Sequence, residues 1–440
     1  MFAFAVNDPS AARLARAWLW LGIVALAGSG LLAILLALSR TPGIQDLLRG
    51  GDFFRATLIV HVDLSVLVWF LAFACVLWSA GGNGRQIWLG WLACVLCTAG
   101  VGFLALSPFL PDAHPLLNNY IPVLDQPQFI LGLLICGAGF TLAMVRALFT
   151  VPLVPAAPLS TALWLAALTG LFAVATTLAT WLLMPAGLDR QPYFETLFWA
   201  GGHVLQFEHA LLAALAWCAL AEECGGLPCL PPRRWSLLFA VAALPVLAAP
   251  YLLANAAPGT PAYVVSFARL MEMGHPLLLP LLVLALVALW RNRGVASPAR
   301  SALAASLLLF IVGGVLAYLI RGANVVIPAH YHGAIVGVTL AFMGLAYVLL
   351  PRLGFRPVEG RMARLQPYVY AGGQLLHVLG LAWSGGYGVQ RKVAGAEQML
   401  VSLPQKIGMG MMGLGGLIAV IGGVMFVVVC LRAMLSARQR

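Results

Sequence analysis

The sequence predicts an all-α, polytopic membrane protein: twelve transmembrane helices forming one membrane domain over residues 1–440. Three observations carry this reading. Hydrophobic residues make up 62% of the chain and charged residues 9%, with a mean hydropathy of +0.96, a balance foreign to water-soluble domains. The apolar residues gather into runs of about 20, the length that crosses a bilayer as helix. The charged residues lie between those runs and form no patch. The net charge of +11 is therefore a topology signal, and the partner it implies is the lipid bilayer and not nucleic acid.

The runs lie near 17–39, 56–79, 87–106, 128–148, 160–184, 196–220, 236–255, 263–290, 302–320, 328–350, 368–385 and 407–431. Arg13 and Arg16 precede the first, and no cleavage-site pattern follows it, so it reads as a retained helix. With both termini cytoplasmic, the inner connections hold Arg85, Arg146, Arg233, Arg234, Arg291, Arg293, Arg300, Arg352, Arg356, Arg361 and Arg364. The tails add Arg432, Arg438 and Arg440 to Arg13 and Arg16. These are the majority of the 25 basic residues, which satisfies the positive-inside rule. The longest connections, about 107–127 and 385–406, then fall outside. Cys94 and Cys97 form a C-x-x-C inside an apolar run with no His after it, which fits neither a redox motif nor covalent haem attachment.

The functional signal is in the histidines. His330 and His332 in Pro328-Ala329-His330-Tyr331-His332-Gly333 stand at i and i+2. At about 100° per residue they point to opposite sides of a helix, so they serve two partners. His61 in the second run and His203 in the sixth lie at a depth similar to theirs, near the outer ends of their helices. Ionisable groups inside membrane helices are costly and mark function. Imidazoles at one depth in a bundle suit axial ligation of haem iron or a non-haem metal. The bland alternative is a set of hydrogen-bonded buried histidines. That reading suits His209 and His377, each alone on a long apolar helix, whereas His114 sits in a polar loop.

These motifs, in this order, resemble the catalytic subunit of the haem-copper oxidase superfamily along nearly all twelve segments. The resemblance implies a low-spin haem between His61 and His332 and a high-spin haem on His330. Trp199-Ala200-Gly201-Gly202-His203 resembles the family's helix-six motif and implies a second metal, non-haem iron or copper, held in part by His203. The stretch from His377 to Lys392 resembles the segment whose two basic residues, here Arg391 and Lys392, bind haem propionates.

The departures from the family pattern are specific. The seventh run, Trp235 to Ala257, lacks the expected His-His pair. Phe207 stands one turn after His203 where oxygen reductases carry tyrosine. Glu208 falls one residue late for the glutamate of the nitric oxide reductase branch, and a π-bulge would be needed to turn it onto the His203 face. In the eighth run Glu272 and His275 are i, i+3 and share a face. Together His203, Glu208, Glu272 and His275 suggest a rebuilt iron site or proton relay, with Glu208 and Glu272 as the catalytic acids. The alternative there is an Arg269–Glu272 pair beside a kinking His275-Pro276.

The inner halves of the sixth and eighth runs offer no polar line, so protons would enter from outside. The resemblance thus implies a respiratory oxidoreductase of the bacterial inner membrane, closest to nitric oxide reductases. Its substrate would be a small gas, NO ahead of O2. Its electrons would come from a periplasmic donor subunit, cytochrome c or quinol. Two other readings stand beside it: a non-catalytic haem conduit or gas sensor lacking the second metal, and an oxygen reductase with a rebuilt metal site.

Overall fold

The computed structural model describes residues 1–40, 51–393 and 398–436. Arg438 and Arg440 of the expected inner tail, and part of the connection 385–406, lie outside the described residues. Apolar, charge-poor runs satisfy their own backbone as helix, and twelve long helices result. They are α1 Pro9–Leu36, α2 Phe53–Gly81, α3 Ile87–Phe109, α4 Pro127–Thr150, α5 Pro158–Leu182 and α6 Arg190–Glu223. They continue as α7 Pro232–Asn255, α8 Pro261–Arg291, α9 Pro298–Tyr318, α10 Val326–Arg352, α11 Arg361–Gly386 and α12 Leu403–Leu435. Eleven of the described helices are long and apolar enough to cross a membrane. The exception is α11, where Gln366, Gln374, His377 and Ser384 dilute an otherwise apolar sequence.

The chain marks its helix starts locally. Proline opens α4, α5, α7, α8 and α9, where its missing N–H costs nothing. Thr260 and Ser297 accept from the backbone of Tyr263 and Arg300. Ser402 and Gln405 close a capping box at α12. Interruptions follow local chemistry as well. Pro245 sits in a 3-10 turn, Leu244–Ala248, of α7, and Pro276 in another, His275–Leu278, of α8. The π-helical turn lies in α2 at Asp63–Val68, while α6 is regular α-helix throughout. The bulge needed to swing Glu208 toward His203 is thus absent from α6.

The helices group into two compact units. The first comprises Met1–Ala25, Val62–Glu222 and Leu227–Ala288, and the second Leu26–His61, Glu223–Gly226 and Leu289–Arg440. In the first, α5 to α8 close around Ala200, Val204, Phe207, Val246, Ala249, Tyr263 and Phe267. The Tyr263 hydroxyl enters the α6 ladder, donating to the Thr196 carbonyl (2.9 Å) and accepting from Ala200 N–H (3.1 Å). In the second unit, α9 to α12 share Leu316, Val325, Ala329, Val378, Leu381, Met409 and Met412.

The long connection after α3 carries a two-stranded hairpin, β1 His114–Leu116 and β2 Val123–Asp125, with His114 opposite Asp125. Arg190 at the start of α6 grips Asp125 through two hydrogen bonds, the Nε one at 2.7 Å. This contact holds the Asp125 carboxyl below its usual range. Gln191 donates to Asn118 (2.9 Å), and Glu195 accepts from the Asn119 backbone (3.2 Å). The hairpin is thereby fastened along the first two turns of α6.

Candidate functional site

In the second unit two candidate haem ligands, His61 and His330, share one device with His377. The Nδ1 of His61 lies 2.9 Å from the carbonyl oxygen of Ser29 on α1, and the Ser29 hydroxyl donates to the His61 carbonyl (3.0 Å). The Nδ1 of His330 lies 2.8 Å from the Gly313 carbonyl of α9, and that of His377 lies 2.9 Å from the Met412 carbonyl of α12. A carbonyl only accepts, so each Nδ1 carries the hydrogen and each Nε2 keeps its lone pair. A metal-binding histidine needs this tautomer and this kind of anchor. The donor set therefore suits an iron-bearing group.

The i, i+2 pair separates as its helical geometry requires. His330 turns to α9, while the His332 ring meets His377 of α11, with ring centroids 4.7 Å apart. Access to Gly313 depends on the two helices touching backbone to backbone. A Cβ on Gly313 would fall 2.2 Å from Ala334 N, and one on Gly333 2.6 Å from the Gly313 Cα. Arg391 and Lys392 reach the same end of the unit, because Val325 N–H, just before α10, donates to the Val389 carbonyl (3.0 Å). Asn324 pairs antiparallel with Gln390. Lys392 adopts a left-handed φ of 63°, a conformation that costs a residue with a Cβ about 1 kcal/mol.

In the first unit His203 is buried, and its Nδ1 lies 2.6 Å from the Trp199 carbonyl one turn back. Tyr120, delivered by the hairpin connection, packs on the His203 ring at 4.6 Å, and Trp199 packs on it at 4.6 Å. Gly202 makes room: a Cβ there would fall 2.3 Å from the Tyr120 ring. Burial, and then the charge of Glu195, push the Tyr120 phenol up. His275 uses the same anchor, Nδ1 to the Met271 carbonyl at 3.1 Å. Its ring lies flat against Phe207, with centroids 4.5 Å apart and an interplanar angle of 5°.

Glu208 is fully buried and pairs with its neighbour His209 (Oε2 to Nδ1, 2.5 Å), while its Oε1 has no partner among the described residues. Asp63, at the start of the π turn, is also fully buried, with neither carboxyl oxygen bonded among the described residues. It lines a cavity of about 20 Å³ together with Tyr120, Gln206 and His209, room for one water. Glu272 and Arg269 do not join this region. Both are exposed on α8, whose buried face runs through Tyr263, Phe267 and Gly274, and they form no ion pair with each other. Glu272 is exposed, whereas the half-buried His275 ring lies on Phe207, and the 3-10 turn of α8 begins only at His275. Among the described residues no three His, Cys, Asp or Glu side chains converge as a metal ion requires. His203, Glu208, Glu272 and His275 are therefore not brought together as one group.

Three features of this geometry escape the sequence: Ser29 as the His61 anchor, Tyr120 over His203, and the Asp63 cavity. Only the second leaves a trace, in the paired Gly201-Gly202 before His203.

Fold and side chains define a multi-span helical membrane protein with anchored imidazoles on α2, α6, α8, α10 and α11. The model of the cytochrome c and quinol oxidase polypeptide I family matches residues 13–425, and the chain belongs to that family. An uncharacterized protein of Rickettsia prowazekii, RP382, is 29% identical, with 96% of each chain covered. An uncharacterized Aquifex aeolicus protein is also 29% identical, over 80% of this chain and 88% of its own. Among solved structures, a haem-copper terminal oxidase dimer determined by cryo-EM shares the fold. Its TM-score is 0.75 at 16% identity, covering 99% of this chain and 86% of that one.

Proposed function

We propose that the protein is a haem-bearing respiratory reductase of the bacterial inner membrane, with both termini cytoplasmic, acting on nitric oxide. The observation that carries the haem reading is the shared anchoring of His61 and His330, each giving its Nδ1–H to a backbone carbonyl of a neighbouring helix and presenting Nε2. His61 and His332 are the ligands we assign to a low-spin haem and His330 to a high-spin one. Arg391 and Lys392 would hold the propionates through charge-assisted hydrogen bonds. Haem held in this way supplies one-electron transfer and a seat for a diatomic gas.

The preference for NO rests on the first unit. No histidine occurs on α7, and Phe207 occupies the position one turn after His203, its ring spent on His275. The donors left for iron or copper are the two anchored imidazoles of His203 and His275. Glu208 and His209 share a hydrogen in a fully buried pair, so Glu208 is the acid we assign to proton delivery. Glu272, exposed on α8, has that role only if a partner surface covers it. Electrons would come from a periplasmic subunit, cytochrome c or quinol.

A second reading, a haem conduit or gas sensor without the second metal, is favoured by the absence of three converging metal-binding side chains among the described residues. One purified sample separates the readings. Two haems plus one non-haem metal per chain, a CO-sensitive band lost in His330→Ala, and NO consumption exceeding O2 consumption support the reductase. Haem without a second metal and without turnover supports the conduit. Rapid O2 consumption without NO consumption overturns the NO assignment, and both haem bands surviving His330→Ala overturns the ligand assignment.

A further inference from the structure

The proposed function leaves His377 idle, yet it is anchored in the same way as His61 and His330. Its Nδ1–H goes to the Met412 carbonyl (2.9 Å), and α11 and α12 meet there backbone to backbone. A Cβ on Gly415 would fall 2.3 Å from the His377 N, and one on Gly380 2.5 Å from the Met412 N. Donor and acceptor thus sit on two helices that cannot slide apart without breaking close packing. The ring so fixed lies 4.7 Å from the His332 ring, tilted by 56°.

We propose that His377 is a positioning residue: its ring, pinned to α12, sets the plane of the His332 imidazole. A histidine bound to iron through Nε2 can still turn about that bond, and the rings it rests against help to set that turn. On one side the His332 ring rests against His377. Tyr331 is 39% exposed, and its ring is farther, at 5.5 Å, so it is the weaker stop. The role rests on the reading of His332 as a haem ligand. It goes beyond that reading by assigning the orientation of the ligand to a third residue on a different helix.

The axial imidazole plane governs the anisotropy of a ferric low-spin haem, so electron paramagnetic resonance reads the proposal directly. In His377→Ala the haem stays bound but its low-spin g values shift and broaden, because a ring-sized space opens beside His332. In His377→Phe, which keeps a ring at that place and loses the Met412 bond, the g values lie closer to wild type. If His377→Ala does not fold, Gly415→Ala presses on the His377 backbone and displaces the same ring, with the same direction of shift. A role confined to helix packing would lower the thermal midpoint in all three variants and leave the g values alone. Unchanged g values in a folded His377→Ala or Gly415→Ala protein overturn the positioning role. A wild-type low-spin signal that survives His332→Ala overturns the ligand reading beneath it, and the role with it.

Discussion

Gly313→Ala tests the anchoring of His330 with a single methyl group. The added Cβ would lie 2.2 Å from Ala334 N and 2.7 Å from Gly333 C, all rigid backbone, where ordinary contact begins at 3.4 Å. Helices α9 and α10 must therefore part by about 1 Å. That movement takes the 2.8 Å His330–Gly313 bond toward 4 Å, beyond hydrogen bonding. The lost bond costs about 1 kcal/mol and the overpacking about 1–3 kcal/mol, so the variant should lose about 2–4 kcal/mol of stability. A ligand histidine without its partner binds metal about 10–100-fold more weakly, so CO-reactive haem should fall at limiting haem while the low-spin band persists. Gly314→Ala is the matched control, since nothing lies within 4 Å of a Cβ there. Thermal midpoint and CO difference spectrum check both. If Gly313→Ala matches Gly314→Ala in each, the anchor does not matter and the reasoning fails.

Two further outcomes follow from the first unit. Asp63→Leu should stabilise the protein by about 1–3 kcal/mol, because it removes a fully buried carboxyl with no hydrogen-bond partner among the described residues; a lower thermal midpoint would refute this. The Asp125–Arg190 pair should release the hairpin in acid. The folded carboxyl titrates below its free value, so the contribution is complete above about pH 4 and disappears as pH falls through the lower folded value. Hydrogen exchange over residues 112–124 should rise below that point in wild type. In Asp125→Asn it should be high and flat with pH, and a wild-type profile in that variant would refute the assignment.

Hydropathy specified eleven of the twelve helices, because a chain in lipid has few ways to satisfy its backbone. Even α11, weaker in hydropathy, was marked by its neighbours. The opposed directions of His330 and His332 were legible as well, since they follow from 100° per residue and nothing else. The anchors were not. Ser29 and Met412 are remote in sequence from His61 and His377, and nothing local tells a serine that faces a histidine from one that faces lipid. Tyr120 was hidden in the connection between α3 and α4, read from sequence only as a long loop. The exposure of Glu272 was not legible either, because an i, i+3 rule tells which residues share a face but not which face of α8 the packing buries.

The five anchored histidines also divide in a way that governs how each unit tolerates change. All use neutral backbone carbonyls, so a low-dielectric interior gains an oriented imidazole without an unpaired buried charge. His203 and His275 take the carbonyl four residues back in their own helix, an anchor that survives any shift of the helix as a rigid body. His61, His330 and His377 take theirs from another helix, so their tautomers depend on interhelical distances set by close backbone contacts such as Gly313–Gly333 and Gly415–His377. Small-to-large changes along α9–α12 should therefore disturb the proposed haem ligands from a distance, whereas equivalent changes around α6 and α8 should leave His203 and His275 correctly protonated. The first unit can lose or exchange metal donors without losing imidazole orientation, which is a physical reason for finding departures from the family pattern there and intact motifs in the second.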